Sequence, residues 1–169
     1  MTEPAEAVMT AGPVPRAVGP GGGTPFRLPT RGFGSVLLGA ADTGGLLSAF
    51  ELTMEAGEGP GRHTHTREHE LWYVLEGEFR FLLGDVIVQQ PVGGLAFGPC
   101  GVPHTFQNIS EGTGRLLVVS GHAGLEDFFL EYDRLATGPF DREALEAAAD
   151  AGGLSFVGPP LAVSAPLER

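Results

Sequence analysis

An all-β barrel or sandwich is the fold class this chain predicts, and three features carry that expectation. Short apolar stretches recur at near-regular spacing. Glycine, 27 of the 169 residues, stands at most of the junctions between them. One stretch, Ser48 to Met54, alternates cleanly, with Phe50, Leu52 and Met54 on one face and Ala49, Glu51 and Thr53 on the other, as a half-buried strand requires. The length suits a single domain, and an apolar content of 42% supplies a core.

Phe26 and Leu28 mark a first short strand and Val36 to Leu38 a second, ahead of the alternating stretch. Another strand carries His63 and His65. Leu71 to Leu75 and Glu78 to Leu83 follow, and Gly84-Asp85 makes a tight turn into Val86 to Gln90. Leu95 to Phe97, Thr105 to Ile109 and Arg115 to Ser120 complete the set, so residues 25–123 are expected to form the barrel. Residues 1–24 are rich in Pro, Gly, Ala and Thr. They cannot bury enough apolar surface to offset the entropy of ordering and are expected to form a disordered tail.

Beyond residue 123 the period changes. Leu125, Phe128, Phe129, Tyr132 and Leu135 recur at helical spacing, which predicts an amphipathic helix from Leu125 to Ala136 broken at Thr137-Gly138-Pro139. Asp141 offers an N-cap for a second helix ending near Gly152-Gly153. Leu154, Phe156 and Val157 then lie against the barrel, ahead of a Pro-rich end, so residues 124–169 read as two short helices and an extended tail. Both helices are expected to serve packing or dimer contacts.

Composition narrows the partners. A net charge of -11, with ten arginines and no lysine, sets the chain against nucleic acid and anionic membranes. One cysteine, Cys100, rules out an intrachain disulfide. No run approaches the ~18 apolar residues of a membrane-spanning helix, and the N-terminus lacks a basic start and apolar core for secretion, so the cytoplasm is expected.

The most specific feature is a pair of motifs. Gly57-x5-His63-x-His65-x4-Glu70-x6-Gly77 and Gly93-x5-Pro99-x-Gly101-x2-His104-x3-Asn108 place three of the five histidines and one carboxylate at fixed spacing, with fifteen residues, Glu78 to Val92, between them. His63 and His65, two apart on a strand, project the same way and can share one ion. Glu70 is expected to meet them from a neighbouring strand after the loop Thr66 to His69, and His104 follows a turn forced by Pro99, Gly101 and Pro103. Three imidazoles and a carboxylate suit one divalent transition metal, Fe, Mn, Co, Ni, Cu or Zn, and leave two octahedral positions open. Glu68 and His69, in the loop, are read as solvated, and His122 as structural.

These motifs resemble, position for position, those of the cupin superfamily, over roughly residues 45 to 125. The resemblance implies a jelly-roll barrel of six to eight strands with the metal at its wider end. It also implies His63, His65, Glu70 and His104 as ligands, Gly77 and Gly101 as turn formers, and Asn108 fixing a strand end. The C-terminal helices resemble extensions of bacterial proteins described as quercetin dioxygenase-like. Cupins commonly dimerise through N-terminal strands, and Val36 to Leu38 suits that role, so a homodimer is expected.

Strand parity extends the site. If Glu70 points inward so should Trp72 and Val74, and if His104 does so should Phe106 and Asn108; with Phe50, Leu52 and Met54 facing them, the expected pocket is apolar and aromatic around one charged centre. Apart from Arg62, Arg67 and Arg80, no cation lies near to hold a phosphate. The resemblance then implies a metal-dependent dioxygenase acting on an aromatic or enolic small molecule, with Glu70 accepting a proton. The alternatives are a non-redox isomerase, cyclase or decarboxylase, and a metal- or small-molecule-binding protein without turnover.

Overall fold

The structure, a computed structural model, describes residues 12–136 and 141–167. Two antiparallel sheets face each other. The first runs β1 (Thr24–Arg27), β2 (Phe33–Leu38), β3 (Leu47–Met54), β10 (Gly114–Gly121), β5 (His69–Glu76) and β8 (Leu95–Gly98). The second runs β11 (Leu154–Pro160), β4 (Gly61–His65), β9 (His104–Asn108), β6 (Glu78–Leu83) and β7 (Val86–Pro91). Helices α1 (Ala40–Thr43), α2 (Leu125–Leu135), α3 (Arg142–Ala151) and α4 (Leu161–Ser164) lie outside the sheets. This is the jelly roll the sequence predicts, with each strand read from the pattern present to within a few residues at its ends.

The inward faces are in register. Phe50, Val118 and Trp72 form one row across β3, β10 and β5; Leu52, Leu116 and Val74 form the next; Ser48, Ser120 and Glu70 form a polar row at the end. Across from them, Phe79, Phe81 and Phe106 fill the barrel with ring centroids 6.0 to 6.4 Å apart. Gly98 is required here, because a Cβ on it would lie 2.6 Å from the Trp72 ring and 3.1 Å from His104 Nδ1.

Several elements differ from the sequence reading. The extended segment expected to lie against the barrel after α3 is a paired strand: β11 pairs with β4, Leu154 opposite His65 and Phe156 opposite His63. Asp141 caps α3, its Oδ1 accepting from Ala144 N–H at 3.0 Å, while the break at Thr137-Gly138-Pro139 lies outside the described residues. Residues 1–11 of the N-terminal segment also lie outside them. Residues 12–23 carry no strand or helix, but Val14 N–H donates to Asp42 O at 2.9 Å and Ser35 Oγ donates to Gly22 O at 2.8 Å. Val36 to Leu38 sits in β2, paired with β3 on one side, while β1 on the other side reaches only as far as Val36.

Val74 and Asn108 point inward as parity requires, both fully buried, yet neither reaches the cavity described below. Parity gives the face of a strand but not which part of the interior is filled, and at this end Phe79 closes it against Gly114. Asn108 instead ties the barrel end. Its Nδ2 donates to Met54 O at 3.0 Å and Gly112 O at 2.9 Å, and its Oδ1 accepts from Ser110 N–H at 2.9 Å. Asn108→Ala leaves those buried groups unpaired and is expected to cost about 2–4 kcal/mol, read as a lower urea midpoint with unchanged slope.

Candidate metal centre

The centre is assembled from both sheets. His63 and His65 come from β4 and His104 from β9, where His63 and His104 are register partners; Glu70 comes from β5 in the facing sheet. The expected neighbouring strand is thus a strand across the barrel. Thr66 to Glu68 carries the chain from one sheet to the other instead of folding a hairpin.

The four ligand-type atoms lie within 4.8 Å of one another, and all four residues are buried. Glu70 Oε2 stands 2.9 Å from His104 Nε2, 3.0 Å from His65 Nε2 and 3.9 Å from His63 Nε2. On the far side of two rings a carbonyl waits: His63 Nδ1 lies 2.8 Å from Gly61 O and His104 Nδ1 lies 2.9 Å from Val102 O. A carbonyl oxygen only accepts, so each Nδ1 carries the proton and each Nε2 presents its lone pair to the centre. Lone pairs facing a carboxylate at this range repel unless a positive charge, a proton or a metal ion, lies between them.

The donor set therefore fits a divalent transition ion. His65 Nε2, buried and without a hydrogen-bond partner, is the clearest sign of it. Burial pushes the Glu70 carboxyl up, but the imidazoles of His104, His63 and His65 outweigh burial and hold it well below the ordinary 4.5.

A cavity of about 230 Å³ opens from this centre. Phe50, Leu52, Met54, Trp72 and Phe106 line it from the barrel. Sequence reading missed the rest of the wall: Leu28 and Thr30 from the segment after β1, Leu125, Phe128 and Phe129 from α2, and Leu154, Phe156 and Pro160 from β11. The helix expected to serve packing or dimer contacts thus also lines the cavity. Its aromatic stripe was the available signal, since core and cavity walls share the same spacing.

α2 is pinned at both ends. The buried Glu126 carboxylate accepts from Ser48 Oγ, from Ala40 N–H at 2.6 Å and from Gly124 N–H at 2.8 Å. Near the other end Asp133 Oδ1 accepts from Arg27 N–H at 2.9 Å and Nε at 2.8 Å. Phe129 stacks on Phe26 with centroids 4.8 Å apart.

The three arginines nearest the motifs are occupied elsewhere. Arg62 Nη2 donates to Gly84 O at 2.8 Å, Arg67 Nη2 to Gly152 O at 3.0 Å, and buried Arg80 to Gln107 Oε1 at 2.7 Å and Ala165 O at 2.6 Å. His69 is exposed, its Nδ1 accepting from Cys100 N–H at 3.1 Å, and His122 is exposed in a turn at φ 64°. Glu68 is the exception to the solvated-loop reading, being 1% exposed.

Residues 50–120 match the family model of the cupin domain. The barrel has the cupin fold. Similar solved structures include a predicted oxalate decarboxylase from Thermotoga maritima, 23% identical with a TM-score of 0.59, covering 63% of this chain and 99% of that one. The polyketide cyclase RemF from Streptomyces resistomycificus is 24% identical with a TM-score of 0.55, covering 64% of this chain and 80% of that one. The Cnp3 cupin domain of Schizosaccharomyces pombe is 16% identical with a TM-score of 0.51, covering 58% of this chain and 66% of that one. At such identities the likeness is one of fold. No curated protein matches the chain. Most of the outer cavity wall lies outside the matched cupin residues.

Two outcomes follow for this centre. His104→Ala is expected to weaken Zn(II) binding by more than the roughly ten- to hundredfold that loss of an outer partner costs, read by chelator competition; an unchanged affinity places the ion elsewhere. In the metal-free protein, Glu70's depressed carboxyl contributes stability that is present above its unfolded value and lost as pH falls through the folded one. Glu70→Gln should flatten that loss, seen in urea midpoints between about pH 6 and about pH 3.

Proposed function

We propose that this cupin is a metal-dependent dioxygenase of an aromatic or enolic small molecule with neighbouring oxygens. The observation that carries the reading is the placement of the His63, His65, Glu70 and His104 cluster against an apolar, aromatic cavity. A divalent ion held by these four residues would supply Lewis acidity and, for a redox-active metal, access to one-electron chemistry.

The protein's own side chains supply the remainder. Phe50, Trp72, Phe106, Phe128 and Phe129 exclude water and favour a flat ring. Among the described residues, Thr30 and Trp72 are the polar side chains of the lining beside the ligand cluster; Thr30 Oγ1 and Trp72 Nε1 are buried and without a hydrogen-bond partner. Each is suited to pair with an oxygen of the substrate. Glu70, ionised and enclosed by imidazoles, is the one carboxylate in the lining among the described residues and would accept the proton of an enolic or phenolic hydroxyl.

Size narrows the class. A 150 Å³ apolar cavity holds benzene, so about 230 Å³ suits one or two fused rings better than the three rings of a flavonol. Phe156, 44% exposed, stands at the mouth, where a longer substrate would protrude. With no cationic side chain in the lining among the described residues, a phosphorylated substrate is disfavoured.

Oxygen uptake tests the reading. Protein reconstituted anaerobically with Fe(II), Mn(II) or Ni(II) should consume O2 with catechols, dihydroxynaphthalenes or hydroxyenones, and Glu70→Gln should lower turnover by the roughly 10²–10⁴-fold typical of a lost general base. Conversion of such substrates without O2 uptake would favour isomerisation, cyclisation or decarboxylation. Metal binding with no turnover of any of them would leave a binding protein.

A further inference from the structure

We propose that Glu68 is a positioning residue of the metal centre, acting through His65. The inference rests on the metal-binding reading above. Each of the three histidines must present Nε2 to the ion, and a ring is held in that tautomer by an acceptor at Nδ1. His63 and His104 have Gly61 O and Val102 O. His65 has no carbonyl. Its buried Nδ1 faces Glu68 Oε2 at 3.6 Å.

The Glu68 carboxylate is otherwise paired with half-exposed Arg67. Glu68 is 1% exposed, and neither oxygen accepts a hydrogen bond. Arg67 Nε lies 3.5 Å from Oε1, but the same guanidinium donates to Gly152 O through Nη2. Gly124, at the head of α2, packs above; a Cβ built there would lie 3.8 Å from Oε1. The positive end of that helix and Arg67 make the pocket tolerant of a negative charge.

A buried carboxylate without hydrogen bonds costs stability in the metal-free protein. It becomes useful when His65 binds a cation, because an anionic acceptor at Nδ1–H makes Nε2 a stronger donor and fixes the ring. His65 is then the one ligand of the three backed by a charge. Alternation along an extended chain puts Glu68 on the same side as Glu70, which is the trace of this role in the sequence.

The test uses full-length E68A with three readouts. Co(II) affinity by chelator competition should fall roughly ten- to hundredfold. The metal-free variant should melt no lower than metal-free wild type, whereas a merely structural role would lower it. In Zn(II)-saturated wild type, NMR should show slowly exchanging Nδ1 protons on His63, His65 and His104; in saturated E68A only the His65 proton should be lost. Wild-type affinity in E68A, a lower melting temperature, or a retained His65 proton each overturns the proposal. If E68A does not fold, the isosteric E68Q carries the affinity and melting readouts, with Co(II) affinity expected to fall because the acceptor at Nδ1 is no longer charged. Wild type that binds neither ion would instead overturn the metal reading beneath it.

Discussion

One carboxylate, reaching across the barrel, organises this molecule. Glu70 stands on the inward face of one sheet and meets three imidazoles carried by the other. Between two apolar faces, such a meeting of polar groups is costly unless every lone pair finds a positive partner. The surroundings are arranged to hold it: carbonyls behind two rings, Glu68 behind the third, Gly98 making room for Trp72 against His104. Because the partners sit on opposite sheets, the separation of those sheets sets the width of the site.

Much of this was legible in the sequence, and the part that was not has a common cause. The pairing of His63 with His65 followed from alternation, a local property of a strand, and the full ligand set from the resemblance that the two motifs carry. Val74 and Asn108 were misplaced because alternation carries no information on how the interior is filled along the barrel. Glu68 was hidden by assuming that a three-residue crossing between sheets is solvated, when the head of α2 packs beside it. The strand β11 was missed because Leu154 to Pro160 contains glycine and prolines; it pairs irregularly, with register shifts at Phe156/Gly158 and Gly158/Pro160.

The segments flanking the matched cupin residues do more than extend the chain. They supply Leu28, Thr30, Leu125, Phe128, Phe129, Leu154, Phe156 and Pro160 to the cavity, while residues 50–120 supply every member of the metal-ligand cluster. The ligand cluster thus comes from one stretch while the cavity wall is shared between that stretch and its flanks, joined where β11 pairs with β4. The buried guanidinium of Arg80 secures the end of that arrangement by holding the carbonyls of Leu161 and Ala165.

Trp72 is the chain's single tryptophan, and its ring centroid lies 5.0 Å from that of His104 on the wall of the cavity. All indole emission from this protein thus originates beside the metal-ligand cluster. The molecule carries its own optical probe: the entry of an ion or an aromatic guest alters the light emitted by the whole sample, with no label to attach and no background from distant chromophores of the same kind.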